Sequence, residues 1–390
     1  MNFNFETDSI TPIDSTSPSN SVLWLGAGFS TCVTSGALPL MGNFFDRLEE
    51  VACPNLHCFM SEWFGNPRNA NVEEVLLAID QLQTAPVSHK RCKAAFGPNF
   101  ADDARLELSQ YILHRLQHES IDCRHWSAQF VAHADSNTTV VTTNYDRVAE
   151  LLLSNRDGQL HLRDATNNPT CPHCKLRALL TWHCQCSSEA PVAGVHWRGS
   201  ILKLHGSVTW HTCRNQGCDQ EYCLIPDPNC RTFNPHQCRC CGGPTESVLV
   251  LPSMAKTYSE YPQLHRMWEA AFAALEDAKR LVVFGFSFPT SDAAICRLFR
   301  QSIEKGCQLR ELVVIDAAPG PIADRLRSLL PCCKNLKLHT YVVPTDGSTP
   351  RWWRGEHASK MNASCETTNS HTPDVHIDAK LPEIRRDLVQ

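Results

Sequence analysis

Short apolar runs that stop at small or polar residues recur along this chain. Val22-Leu23-Trp24-Leu25 ends at Gly26-Ala27-Gly28, and Thr138 to Thr143 runs into Asn144-Tyr145-Asp146. Ile201-Leu202-Lys203-Leu204 leads to His205-Gly206, Leu281-Val282-Val283-Phe284 to Gly285-Phe286-Ser287, and Leu312-Val313-Val314-Ile315 to Asp316. Continuous apolar or β-branched stretches of this length predict strands buried on both faces. Between them the period changes. Val72, Val75, Leu76, Ile79 and Leu82 repeat at intervals suited to one helical face, and Leu106, Leu108, Ile112, Leu113 and Leu116 suggest a longer helix. Further helices are expected over Asn43 to Ala52, from Val148 through Leu152, and around Pro262 to Ala278, with another strand over Val248 to Leu251 and a last one in the tail beyond about Thr345.

Strands that alternate with helices predict an α/β fold, a Rossmann-like doubly wound parallel sheet with ligands at the carboxyl ends of its strands. Two interruptions are expected, a helical insertion and an inserted cysteine-rich zinc-binding module. The resulting organisation is a disordered Ser/Thr/Pro/Asn-rich arm over residues 1–20 and a first part of the sheet domain over 21–154. The cysteine-rich insertion, with the LHG strand end, covers 155–245, the second part of the domain 246–345, and a partly disordered tail 346–390.

Composition narrows the class. The chain has 390 residues, 42% of them hydrophobic, enough for a substantial core. A net charge of -5 with no long basic run predicts no direct nucleic-acid binding. The first residues lack the basic and apolar regions of a signal peptide, and no apolar run reaches membrane-spanning length, so the expected location is cytoplasmic with no membrane partner.

The 21 cysteines change the picture more. Without an export signal, thiolates at metal-ligand spacing are read as zinc ligands before disulfides. Cys238-x-x-Cys241-Gly-Gly has the form of a zinc knuckle, with Cys213 and Cys218 as its nearest partners. Cys223, Cys230 or Cys240 can replace one of them. Cys171, Cys174, Cys184 and Cys186 form a second group, with His173 or His183 as substitutes, and pairing across the two groups is a further alternative. With all ligands from protein, the zinc is read as structural. Cys32, Cys53, Cys92, Cys296 and Cys307 are read as core residues.

The Gly26-Ala27-Gly28-Phe29-Ser30 turn is a candidate phosphate cradle, because glycines let the backbone approach a pyrophosphate near a helix start. A hydride-transfer site would want a third glycine where Thr31 stands and an acidic residue about twenty positions on. Neither is present, which disfavours a dehydrogenase.

Taken in order, GAGFS, TTNYD, LHG, GFSFP and VID resemble the sirtuin-like superfamily, in particular the branch of NAD-consuming domains found in bacterial anti-phage defence proteins. The resemblance spans roughly Val22 to Asp316. It implies cleavage of the nicotinamide–ribose bond of NAD, with Asn144 matching the family's catalytic asparagine and His205 the histidine of its HG block. Such a reaction passes through an oxocarbenium-like centre. An amide can orient ribose hydroxyls or water, and a neutral imidazole can take a proton. The resemblance assigns phosphate to Gly26, Ala27, Gly28 and Ser30, the loop or ribose to Thr143 and Asp146, the phosphate or adjoining ribose to Gly285 and Ser287, and the adenosine ribose to Asp316. The plain structural roles are a helix cap for Asn144 or Asp316 and a hydrogen-bonded core imidazole for His205.

Departures bear on the reaction. Protein-deacylating sirtuins carry aspartate-phenylalanine-arginine shortly after the GAG block, and glutamine-asparagine-isoleucine-aspartate where this chain has Thr143-Asn144-Tyr145-Asp146. Here the first region reads Gly36-Ala37-Leu38-Pro39-Leu40-Met41. This favours an NAD hydrolase over an NAD-dependent lysine deacylase, although the cysteines after the HG block also match the deacylases. A non-catalytic NAD or ADP-ribose sensor is the third reading. Because an ungated NADase is toxic, activity is expected to depend on a homo-oligomer or a separately encoded partner protein.

Overall fold

The computed structural model describes residues 20–84, 99–116, 121, 125–132, 138–154, 201–215, 218, 241–250, 262–289, 292–333 and 335–353. In chain order the elements are β1 (Ser21–Leu25), α1 (Ala27–Val33), α2 (Pro54–Phe64), α3 (Val72–Thr84), α4 (Phe100–Leu116), α5 (Trp126–Ala132), β2 (Thr138–Thr142) and α6 (Val148–Ser154). They continue as β3 (Ile201–Lys203), β4 (Gly206–Cys213), β5 (Thr245–Leu249), α7 (Pro262–Glu276), β6 (Arg280–Phe284), α8 (Ala293–Gly306), β7 (Glu311–Asp316), α9 (Pro319–Leu329) and β8 (Lys337–Val342).

Six strands form a parallel sheet in the order β3-β2-β1-β6-β7-β8, and β4 pairs with β5 as a separate antiparallel hairpin. The first half of the sheet grows away from β1 on one side and the second half on the other. The strand order therefore reverses between β1 and β6, where a doubly wound sheet opens a crevice. β1 is central and pairs with both β2 and β6.

Strand periodicity explains why β1 is apolar from Val22 to Leu25. Val22 and Trp24 join a core with Val283, Phe299 and Leu275, against α7 and α8. Leu25 pairs in register with Phe284, whose ring meets Phe29 of α1 and Trp126 and Phe130 of α5. Each face of the sheet is thus covered by helices, and a polar residue at either parity of β1 would be buried without water.

Between β1 and β2 lies the helical insertion. Glu107 of α4 fastens it, accepting from the Asn55 side chain at 2.7 Å and from the Leu56 amide at 2.8 Å at the start of α2. Tyr111 and Arg115, on the same helix, both donate to the Phe44 carbonyl, and Arg115 also reaches Asp46 at 2.6 Å. Burial pushes the Tyr111 phenol up to about 12.

Several expectations need correction. Asn43 to Ala52 is not a helix but two short 3-10 turns, Met41–Asn43 and Leu48–Glu50. Phe44, Phe45 and Leu48 face the core there, so burial fixes the segment without a continuous helical register. Among the described residues the last strand lies before Thr345, as β8, an edge strand that is only half buried and mixes apolar with polar residues. Cys53 is buried and Cys32 and Cys296 half-buried, but Cys307 is exposed at the left-handed cap of α8. Cys92 lies outside the described residues. Among the described residues no helix is long and apolar enough to cross a membrane.

Candidate active site

The carboxyl ends of all six parallel strands line one cavity of about 1070 Å3. Ala27, Gly28 and Ser30 follow β1, Thr143, Asn144 and Asp146 follow β2, and His205 follows β3. Gly285 and Ser287 follow β6, Asp316 ends β7, and residues 343–347 follow β8. Every predicted catalytic and NAD-contacting residue except Gly26 is therefore brought together. The cavity is slightly larger than the range of about 300–1,000 Å3 common for small-molecule sites.

The glycine turn has a reason that the sequence reading did not give. A Cβ on Gly26 would lie 2.3 Å from the Gly285 carbonyl oxygen, and one on Gly285 would lie 2.1 Å from the Phe29 nitrogen. The Gly26 and Gly28 amides donate to Phe284 O and Gly285 O, each at 2.9 Å. Two strand ends at the switch point pack backbone to backbone, so these glycines are required by the fold before any ligand arrives. Among the described residues nothing accepts from the Ala27 amide, and Ala27 lines the cavity.

Ser30 is also held by the protein itself. Its hydroxyl accepts from Asn144 Nδ2 at 2.9 Å and bonds to the Asp146 carboxylate, which also takes the Val148 amide at 2.9 Å. Asp146, rather than Asn144, caps α6. Burial raises the Asp146 carboxyl above the ordinary carboxylate range, against the lowering influence of Lys203, the Val148 amide and Ser30. The Asn144 backbone amide is held by the Thr142 hydroxyl at 3.0 Å, and that hydroxyl donates to Leu25 O. The half-buried Asn144 side chain is thus fixed through one N–H while its carbonyl oxygen stays available for a substrate.

His205 is 3% exposed. Its carbonyl accepts from the Val250 amide at 2.9 Å, and the Tyr145 ring stands 6.0 Å away. Asp292 Oδ1 lies 3.6 Å from His205 Nε2. Asp292 occupies the N-cap position of α8 yet makes no cap hydrogen bond with its side chain. Sequence reasoning missed it, because an aspartate directly before a helix reads as a cap.

Asp316 accepts from the Ala318 amide at 2.9 Å through Oδ1, the expected turn role. Its other oxygen has no such bond among the described residues. Two walls were not foreseen: Leu38 to Phe44 from the insertion, and Val343 to Gly347 after β8. Five acidic side chains, Glu73, Asp146, Asp292, Asp316 and Asp346, line the cavity, and among its described lining residues there is no Lys or Arg.

A second site lies at the end of the β4–β5 hairpin where the chain connects the two strands. The thiols of Cys213, Cys218 and Cys241 all lie within 4.8 Å of one another, with 3.5 Å between Cys213 and Cys241. The Asn215 amide donates to the Cys213 sulfur at 3.4 Å and the Gly243 amide to the Cys241 sulfur at 3.4 Å. The Cys213 and Cys241 sulfurs thus each take an amide from two residues on, which neutralises thiolate charge. Gly243, then the Asn215 side chain, then Cys213 hold the Cys241 thiol down at about 6. This donor set fits a soft cation such as zinc. Cys171, Cys174, Cys184, Cys186 and Cys238 lie outside the described residues.

No family model and no curated protein matches the sequence. Among solved structures, one on the structural basis of sirtuin substrate affinity is similar over 84% of this chain and 89% of its own, at 13% identity and a TM-score of 0.37. A Sir2 homologue variant in complex with ADP-ribose is similar over 80% and 91%, at 12% identity and a TM-score of 0.33. A Sir2 complex with an inhibitor, 2'-O-acetyl-ADP-ribose and a deacetylated p53 peptide covers 89% and 94%, at 14% identity and a TM-score of 0.31. Likenesses this distant say nothing of chemistry, which is carried by the chain's own side chains.

Proposed function

We propose that this protein hydrolyses NAD to nicotinamide and ADP-ribose. The observation that carries the reading is that Asn144 and His205, from the ends of two neighbouring parallel strands, line the cavity at the switch point, with the Asn144 amide fixed by Ser30. In this reading Asn144 orients the nicotinamide ribose or the attacking water through its carbonyl oxygen. His205, faced by Asp292, accepts the proton of that water as its oxygen bonds to the anomeric carbon. The glycosidic bond breaks and its electron pair leaves with nicotinamide.

Ala27, Gly28, Thr143, Gly285 and Ser287 are proposed to meet the pyrophosphate and adjoining ribose, and Asp316 the adenosine ribose. Ser30, Asp146 and Gly26 build the site from behind. The zinc that we assign to Cys213, Cys218, Cys241 and a fourth ligand, Cys238 by the sequence reading, supplies a structural cross-link. That cross-link closes the hairpin whose first residue follows His205. The ordered motifs also support a role as an anti-phage effector, gated by self-assembly or by a partner protein.

Purified protein incubated with NAD tests this, with and without an acyl-lysine peptide, beside Asn144→Ala and His205→Ala. The expected result is nicotinamide release without peptide, lowered at least about a hundredfold by either substitution. Equal product from all three proteins overturns the proposal, and release that requires the peptide reassigns the site to a deacylase.

A further inference from the structure

Lys203 has a fully buried side chain, and the NAD-cleaving chemistry proposed above does not use it. It ends β3, two residues before His205. Its ammonium contacts Glu150 Oε1 at 2.8 Å and donates to the main-chain carbonyl of Asp146. Both partners belong to the segment that follows β2: Asp146 sits two residues after Asn144, and Glu150 lies in the first turn of α6. Glu150 is itself buried, and its Oε2 has no hydrogen-bond partner among the described residues.

An ammonium is placed in a dry core only where specific partners offset its desolvation, and an apolar residue of similar volume would fill the space as well. What the lysine adds is direction. From Lys203 a continuous path runs to Asp146, through the Asp146 carboxylate to Ser30, and from Ser30 to the Asn144 amide. The short β3 strand, which has only three residues paired to β2, is tied by this path to the loop that bears Asn144.

Resting on the NAD-cleavage reading, we infer that Lys203 is a positioning residue, which holds the His205-bearing strand end and the Asn144-bearing loop at the separation their joint chemistry needs. Its effect falls on turnover more than on substrate binding, because a misplacement near 1 Å is felt in the reacting geometry.

The test pairs Lys203→Met/Glu150→Gln, which removes both charges at nearly constant volume, with Glu150→Gln alone, which leaves the buried ammonium without its carboxylate and costs more stability. Each is measured for kcat and KM with NAD, for thermal stability, and for hydrogen exchange of the Asn144 side-chain amide by NMR. The expected result is a kcat lowered about tenfold to a hundredfold in the double variant and several-fold in Glu150→Gln. KM should stay within about twofold and the Asn144 amide should exchange faster in both. Should Glu150→Gln not fold, the double variant decides alone. Lowered stability with kcat and Asn144 exchange both unchanged overturns the inference and leaves Lys203 a packing residue. If the wild-type protein releases no nicotinamide, the NAD reading fails by itself. The exchange measurement then decides: faster exchange in the variants supports the Lys203 link, and unchanged exchange overturns it.

Discussion

The side-chain amide of Asn144 donates to the Ser30 hydroxyl over 2.9 Å, joining a loop after β2 to the helix after β1 across 114 residues of sequence. That bond changes what Ser30 is for. A phosphate-binding serine and an asparagine-orienting serine make different kinetic predictions. Ser30→Ala should lower kcat about tenfold to a hundredfold and leave KM for NAD within about threefold, since a freed amide loses orientation more than the substrate loses contacts. Steady-state kinetics at saturating NAD check it. A raised KM at unchanged kcat would return Ser30 to the phosphate.

The cavity's acidic lining sets a second expectation. With Asp316 at the end of β7 and no Lys or Arg among the described lining residues, an additional phosphate on the adenosine ribose would meet negative charge without a counter-ion. NADP should therefore be cleaved with a kcat/KM at least about tenfold below that of NAD, a gap near 1.4 kcal/mol. Asp316→Asn should narrow the gap. Equal rates on the two dinucleotides would place the adenosine ribose elsewhere.

Much of this site was legible because strand ends carry their chemistry in short contiguous blocks. Gly26 to Ser30, Thr143 to Asp146, and His205 each follow a continuous apolar or β-branched run of strand length, and the parallel sheet does the rest. What the sequence hides is mutual contact. That Gly285 exists to let Phe29 approach, or that Ser30 serves Asn144, depends on which strands are neighbours in space, and no spacing encodes this. Asp292 was hidden for another reason: its place before α8 offers an ordinary explanation that only the missing cap bond removes. β8 and the 3-10 turns at Met41 and Leu48 escaped because an edge strand and a core-pinned loop have neither clean period.

The hairpin thiols give a third prediction. Cys213 and Cys241 flank the connection between its strands, Cys213 closing β4 and Cys241 shortly before β5, so a metal there fastens one side of the hairpin to the other. Cys241→Ser should lower the zinc content of purified protein by about one equivalent per chain and the Tm by roughly 5 °C, on the scale of a stabilisation of about 1–2 kcal/mol. Elemental analysis and a thermal scan read both. Zinc content that does not change would move the metal away from this hairpin.

Asp146 makes stability depend on pH in a defined direction. Its folded carboxyl titrates above its unfolded value of about 3.9, so the native state holds the proton more tightly. The resulting stabilisation is complete below the unfolded value and is lost as pH rises through the raised folded one. Asp146→Asn has no such loss. The stability of the variant relative to wild type should therefore increase from about pH 4 toward neutrality, as read by urea denaturation at several pH values. A constant difference, or one that shrinks, would mean that the paired Lys203 and Ser30 outweigh burial.

Two glycines of the same dihedral class separate backbone strain from close packing. Gly36 has φ +85 and open space within 4 Å of where a Cβ would lie, whereas Gly285, at φ +68, would bring a Cβ to 2.1 Å from the Phe29 nitrogen. Both alanine substitutions incur the left-handed penalty, about 1–2 kcal/mol. Gly285→Ala must in addition push β6 away from the β1 turn, and neither neighbour is a flexible side chain that can yield. Gly36→Ala should thus cost about 1–2 kcal/mol in urea denaturation, and Gly285→Ala more than about 4 kcal/mol or the folded state itself. Equal costs would mean that the two strand ends are not in backbone contact at the switch point, and the cavity they open would lose its physical basis.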